Sequence, residues 1–180
     1  MRKLNLDKAK QNWLGIPLSA SSFYYTALLT CLQGNGHQSG CILNLDGKWT
    51  ENLKLFWTGI LDKKTLSFWK NRHLATEYGA IAIAAFLIEE FTDLEFLEIM
   101  EIGEGADFYL CKKEDAKKSS FQQKPAAKLE VSGIWNEKLG NTINMRVSIK
   151  EKQVEKGTID IPIYIIVVEF GKLKAKFIKK

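Results

Sequence analysis

Gly103-Glu104-Gly105-Ala106-Asp107-Phe108-Tyr109-Leu110 and Lys128-Leu129-Glu130-Val131-Ser132-Gly133-Ile134 flank a polar loop, Lys112 to Pro125, and the rest of the chain is read from this stretch. Each flank is a short apolar run carrying one acid, and the loop between them is too polar to pack. The pattern predicts a hairpin with a long tip. Successive side chains on a strand point to opposite faces. Asp107 and Phe108 therefore face apart, while Glu130 and Ser132 share a face that Leu129, Val131 and Gly133 do not. Paired in matching register, the strands bring the Asp107 and Glu130 carboxylates together. Two convergent carboxylates are the donor set that holds Mg²⁺ or Mn²⁺.

Upstream, Leu94 to Ile102 alternates as a strand, with Phe96, Glu98, Met100 and Ile102 on one side, and Gly103 and Gly105 break it. No helix with a third glycine follows this Gly-x-Gly, so it is a hairpin turn and not a dinucleotide fingerprint. Before the strand, Leu74 to Phe91 reads as a strong helix, with Asn71 or Thr76 as candidate cap. Glu77 shares a helical face with Ala80, Ile81, Ala84 and Ile88. Near the helix start its charge suits the helix dipole and needs no function. Aimed at Asp107 and Glu130, it would instead be a third acid of their site. Residues 1–72 are less legible. Ser21 to Leu29 fits a helix or a strand, Cys41–Leu45 and Leu53–Trp57 are strand candidates, Asp46-Gly47 is a turn, and Lys63 to Trp69 is ambiguous.

Downstream, Ile143 to Lys156 reads as a helix ended by Gly157. On it Arg146, Lys150 and Gln153 fall at i, i+4 and i+7 and form one polar row. Pro162 to Phe170 is continuously apolar, as in an interior strand covered on both faces. Lys172 to Ile178 alternates as a half-exposed edge strand whose lysines would protect the edge.

Of 180 residues, 46% are hydrophobic and 26% charged, which excludes global disorder and leaves material for a full core. Three cysteines, with no CxxC pair and only two histidines, exclude a disulfide framework and a zinc finger and point to a reducing cytoplasm. No signal-peptide core follows Met1, and Ala80 to Ile88, the longest apolar run, is too short for a bilayer. The net charge of +5 is uneven. Residues 1–75 carry ten Lys/Arg against four acids, residues 76–110 nine acids and no base, and residues 111–180 sixteen bases against eight acids. An acidic centre within basic flanks suits a metal site approached by a polyanion. The same distribution also arises from a solvated helix face and solubilising lysines.

From residue 74 the order is helix, three-strand meander, helix, strands, with an acid on the helix and on each of two strands. This arrangement resembles the PD-(D/E)XK, or restriction-endonuclease-like, nuclease superfamily. The resemblance implies an α/β (α+β) core over 73–180 and an N-terminal elaboration over 1–72 packed on it, together one compact domain. It implies that Asp107 and Glu130 ligate Mg or Mn with Glu77 in support, that Arg146 and Lys150 face a nucleic-acid phosphate, and that Ser132 and Gln153 orient water or substrate. Segments around Glu77, Asp107 and Glu130 also look like an uncharacterised group of bacterial proteins. The chain departs from the superfamily where a Lys belongs two residues after the Glu: Ser132 stands there, and Ala106 replaces the Pro before Asp107. Two readings follow. In one, Lys150 replaces the missing charge and the protein is a metal-dependent nuclease. In the other, the fold is catalytically inactive and binds nucleic acid or a protein partner, a homodimer being one form. A small-molecule site anchored on Glu130 is a third, less specific reading.

Overall fold

A computed structural model describes residues 1–101, 103–118, 122–154 and 161–180. It is a mixed α/β structure, with eight strands in one sheet and four helices among the described residues. In chain order the elements are β1 (Arg2–Asn5), α1 (Leu18–Gly34), β2 (Ile42–Gly47), β3 (Glu51–Phe56), α2 (Lys63–Phe68), α3 (Arg72–Phe91), β4 (Leu94–Ile99), β5 (Phe108–Lys112), β6 (Ala127–Ile134), α4 (Ile143–Val154), β7 (Ile163–Glu169) and β8 (Lys174–Lys179). A short 3₁₀ turn, Leu6–Lys10, follows β1. The sheet order is β1-β3-β2-β8-β7-β6-β5-β4.

The meander expected over 94–134 is present: β4, β5 and β6 pair antiparallel in sequence. β7 lies parallel to β6, as a helical crossover requires. Helix α3 starts where Asn71 caps it, its side chain accepting from the His73 and Leu74 amides at 3.1 and 3.3 Å. Ile102, Lys156 and Gly157, assigned above to a strand end and a helix end, lie outside the described residues.

Three expectations are corrected. β8 is not an edge strand: it pairs antiparallel with β7 and parallel with β2, so it joins the N-terminal strands to the meander. Its alternation reflects two different surroundings, since Ala175 and Phe177 enter the main core while Lys174 and Lys176 reach Glu137 and Asp46. β4 does not alternate regularly, because its register shifts between Phe96 and Glu98 and Glu98 becomes exposed while Phe96 is buried. Asp46-Gly47 ends β2 rather than turning the chain. A Cβ on Gly47 (φ +114°) would stand 2.3 Å from the Phe177 carbonyl oxygen, so glycine lets β8 close on this strand. The ambiguous segments at Ser21 and Lys63 are both helical.

Helices α1 and α3 pack together on one face of the sheet, over Leu129, Val131, Tyr164, Ile166 and Val168. Helix α4 covers the other face, where Ile134, Ile165 and Val167 meet Val147 and Val154. Two glycines permit the close layering. A Cβ on Gly79 of α3 would meet Cys31 and Leu28 of α1 at 3.1–3.2 Å, and one on Gly133 of β6 would stand 2.1 Å from the Thr76 carbonyl oxygen. No helix among the described residues is long and apolar enough to cross a membrane.

Candidate functional site

β5 stops short of β6. Their pairing runs from Leu110 opposite Ala127 to Phe108 opposite Leu129, and β6 continues to Ile134 with no partner strand on that side among the described residues. Asp107 stands where the ladder ends. Its amide donates to the Leu129 carbonyl at 3.0 Å, and its side-chain Oδ2 accepts from the Val131 amide at 2.8 Å. The carboxylate thus replaces the missing strand. A pocket of about 700 Å³ opens at this notch. Asp107, Val131 and Ser132 form its floor, and Arg146, Lys150 and Gln153 of α4 line it from one layer. Glu77, Tyr78 and Ile81 of α3, with Tyr24 of α1, line it from the other.

Glu130 lies behind this surface, fully buried. Its Oε1 accepts from the Lys150 ammonium in a close ion pair and from Gln153 Nε2 at 3.3 Å. Lys150 also donates to Gln153 Oε1 at 3.2 Å, so the three side chains close a ring. The other Glu130 oxygen, Oε2, is buried without a hydrogen-bond partner among the described residues. A buried polar group left unpaired is costly and needs a reason. Burial, then the Asp107 charge, push the Glu130 carboxyl up to about 7, against the pull of Lys150 and Gln153. Asp107 is pushed up too, first by burial and also by the Glu77 charge, while the Val131 amide and Lys150 pull it down. Two carboxyls both raised by burial, one lining the pocket and one behind it against a lysine, form a constellation typical of functional sites.

Comparisons with protein-family models, with curated proteins and with solved structures find no match.

All seven residues singled out in the sequence are at or beside this notch. Asp107, Ser132, Arg146, Lys150, Gln153 and Glu77 line the pocket, and Glu130 sits under Lys150 and Gln153. They differ in exposure. Ser132 is almost covered, while Glu77 is half exposed and paired at 3.4 Å with His73 one turn earlier on α3. Arg146 donates to Asn141 Oδ1 at 2.9 Å, and its Nε is buried without a partner among the described residues. Among the described residues no group of three His, Cys, Asp or Glu side chains is close enough to hold a metal. A divalent ion here would have two carboxylates, Asp107 and Glu130, as its protein ligands. The unpaired Glu130 Oε2 and the hard oxygen donors fit Mg²⁺ or Mn²⁺, which accept one or two carboxylates and fill the remaining positions with water and phosphate.

Tyr24 and Tyr78 form an aromatic wall of the pocket that residue spacing does not mark. Tyr24 belongs to the run whose periodicity decided nothing. Tyr78 adjoins Glu77, and its signal lay in the tertiary approach of α1 to α3, not in spacing.

Proposed function

We propose that this protein is a divalent-metal-dependent nuclease with a divergent restriction-endonuclease-like core, hydrolysing nucleic-acid phosphodiesters. The observation that carries the reading is the Lys150–Glu130 pair. Ser132 leaves β6 without the lysine that the superfamily's pattern places there, and the α4 ammonium occupies the same neighbourhood from the other side of the notch. The bound ion, held by Asp107 and Glu130, would polarise the scissile phosphate and lower the pKa of a water.

The chain's own groups divide the remaining work. Lys150 lies against Glu130 at rest, and its ammonium is placed to neutralise charge developing on the phosphate oxygens. Arg146 carries a buried Nε–H with no partner, a second donor for a phosphate at the pocket wall. Gln153 exchanges hydrogen bonds with both Lys150 and Glu130 and fixes their relative position. The Ser132 hydroxyl, on the pocket floor, can orient water or a substrate oxygen. The Asp107–Val131 bond holds the unpaired end of β6 in place.

One observation favours the second reading, a nuclease fold that binds without cutting. At rest Glu130 Oε1 is engaged by Lys150 and Gln153, so metal entry competes with an ion pair already formed. Cleavage assays on single- and double-stranded DNA and RNA with Mg²⁺ or Mn²⁺ separate the two. A nuclease loses on the order of a hundredfold or more in rate on Lys150→Ala, while Mn²⁺ still raises its melting temperature. If wild type cuts nothing but Ser132→Lys does, the natural protein is the non-cutting form. If neither cuts and neither binds nucleic acid at low salt, both readings fall.

A further inference from the structure

Building on the nuclease reading above, we propose that the site takes an unpaired nucleic-acid strand, whose bases stack on a ladder of aromatic rings leading into the pocket. The ladder begins at Phe68, which ends α2 and is 72% exposed although it is a large apolar ring. Its centroid lies 5.5 Å from that of Trp69, edge to face. Trp69 is buried and lies 4.7 Å from Phe23, which is itself partly exposed. Phe23 lies 5.0 Å from Tyr78, and Tyr78 is stacked on Tyr24 at 5.9 Å with ring planes 15° apart. Tyr78 and Tyr24 are walls of the pocket that Asp107 and Lys150 line. The rings thus connect the surface to the site without a break.

Packing alone does not explain the outer end. Helix α2 buries none of its own residues, and Leu66, Leu74 and Phe23 are further large apolar side chains left exposed. Trp69 acts as the mount: its Nε1–H donates to Thr26 Oγ1 at 3.3 Å, which fixes the ring against α1. Phe68, Phe23 and Tyr78 are the platforms.

Charge decides what lies on them. Residues 63–75 contain Lys63, Lys64, Lys70 and Arg72 and no acid, and all four bases are exposed. Aromatic faces interleaved with cations bind single strands, because every unpaired base offers a face to stack and every nucleotide a phosphate. A duplex keeps its bases stacked on each other and cannot use the rings. An apolar protein segment would use the rings but not the four cations.

The test is fluorescence anisotropy in metal-free buffer, so that nothing is cut, with labelled oligothymidylate, an abasic strand of equal length, and a blunt duplex. Oligothymidylate should bind tightest. Phe68→Ala should weaken it about five- to a hundredfold and leave the abasic strand unchanged. Because Phe68 is exposed, the variant should melt as wild type does. Oligouridylate in parallel assigns the strand as RNA if it binds tighter than oligothymidylate and as DNA if weaker, and either result supports the ladder. Equal affinity for duplex and single strand, or no effect of Phe68→Ala, overturns it. The nuclease reading fails separately. If no substrate is cut yet Phe68-dependent binding persists, the ladder stands as a binding track. If duplex is cut with dependence on Lys150 and Phe68→Ala cuts as fast as wild type, the ladder falls and the nuclease stands.

Discussion

Glu130 and Glu169 are buried glutamates on adjacent strands, and they are satisfied in opposite ways. Glu169 accepts from the Glu137, Gly171 and Lys172 amides with both its oxygens, so it holds a turn. Glu130 shares one oxygen between Lys150 and Gln153 and leaves the other without a partner. Its carboxyl, pushed up to about 7 from an ordinary value near 4.5, binds a proton in the folded state that the unfolded state releases. Between those pH values folding takes up that proton, so the Glu130 contribution to stability falls as pH rises from about 4.5 to 7. Glu130→Gln should therefore melt near wild type at pH 4.5 and above it at pH 8, by on the order of 2 kcal/mol. A melting-temperature difference that does not grow with pH would contradict this. Lys150→Ala should do the reverse at pH 8, costing about 3–5 kcal/mol by stranding a buried carboxylate, and Glu130→Gln should restore most of the loss in the double variant. The row of Arg146, Lys150 and Gln153 was legible from spacing, since i, i+4 and i+7 share a helical face. The approach of Lys150 to Glu130 was expected from the resemblance alone and not from spacing, because it spans twenty residues and depends on how α4 crosses the sheet.

At the scale of elements, the notch is made by lengths. β6 has eight residues and β5 five, and the excess of β6 is the floor of the site. The order from α3 to β7 was readable because α3 and α4 have a helical period, β7 is a continuous apolar run, and glycines or a polar loop separate the strands of the meander. The role of β8 was not, because alternation is common to an edge strand and to a strand between two different neighbours. β1 is only four residues long and carries no pattern a sequence could show. The seat of α3 depends on Gly133, whose Cβ would collide with the Thr76 carbonyl. Gly133→Ala should push the start of α3 off β6 and cost roughly 2–4 kcal/mol. It should also move Glu77 and Tyr78 relative to Asp107. Chemical denaturation checks the first effect. Oligothymidylate anisotropy checks the second, with weaker binding expected under conditions where the variant is still folded.

For the whole molecule, one sheet joins both halves of the chain through β8. Phe177 of that strand is fully buried, 4.7 Å from Trp49 beyond β2 and 5.7 Å from Tyr164 on β7. Phe177→Ala should cost about 3–5 kcal/mol and raise amide exchange in β2 and β7 together. Exchange that increases in only one of them would mean that the halves unfold separately. The same topology sets a condition on biosynthesis. The edge of β2 that β8 covers leaves the ribosome as far as Gly47, and the strand that covers it begins 127 residues later at Lys174. At about 5–20 residues per second the β1-β3-β2 half-sheet waits ~6–25 s with an open edge. Nascent chains halted before Lys174 should therefore be cut by protease across residues 42–47, and chains released past Lys179 should not.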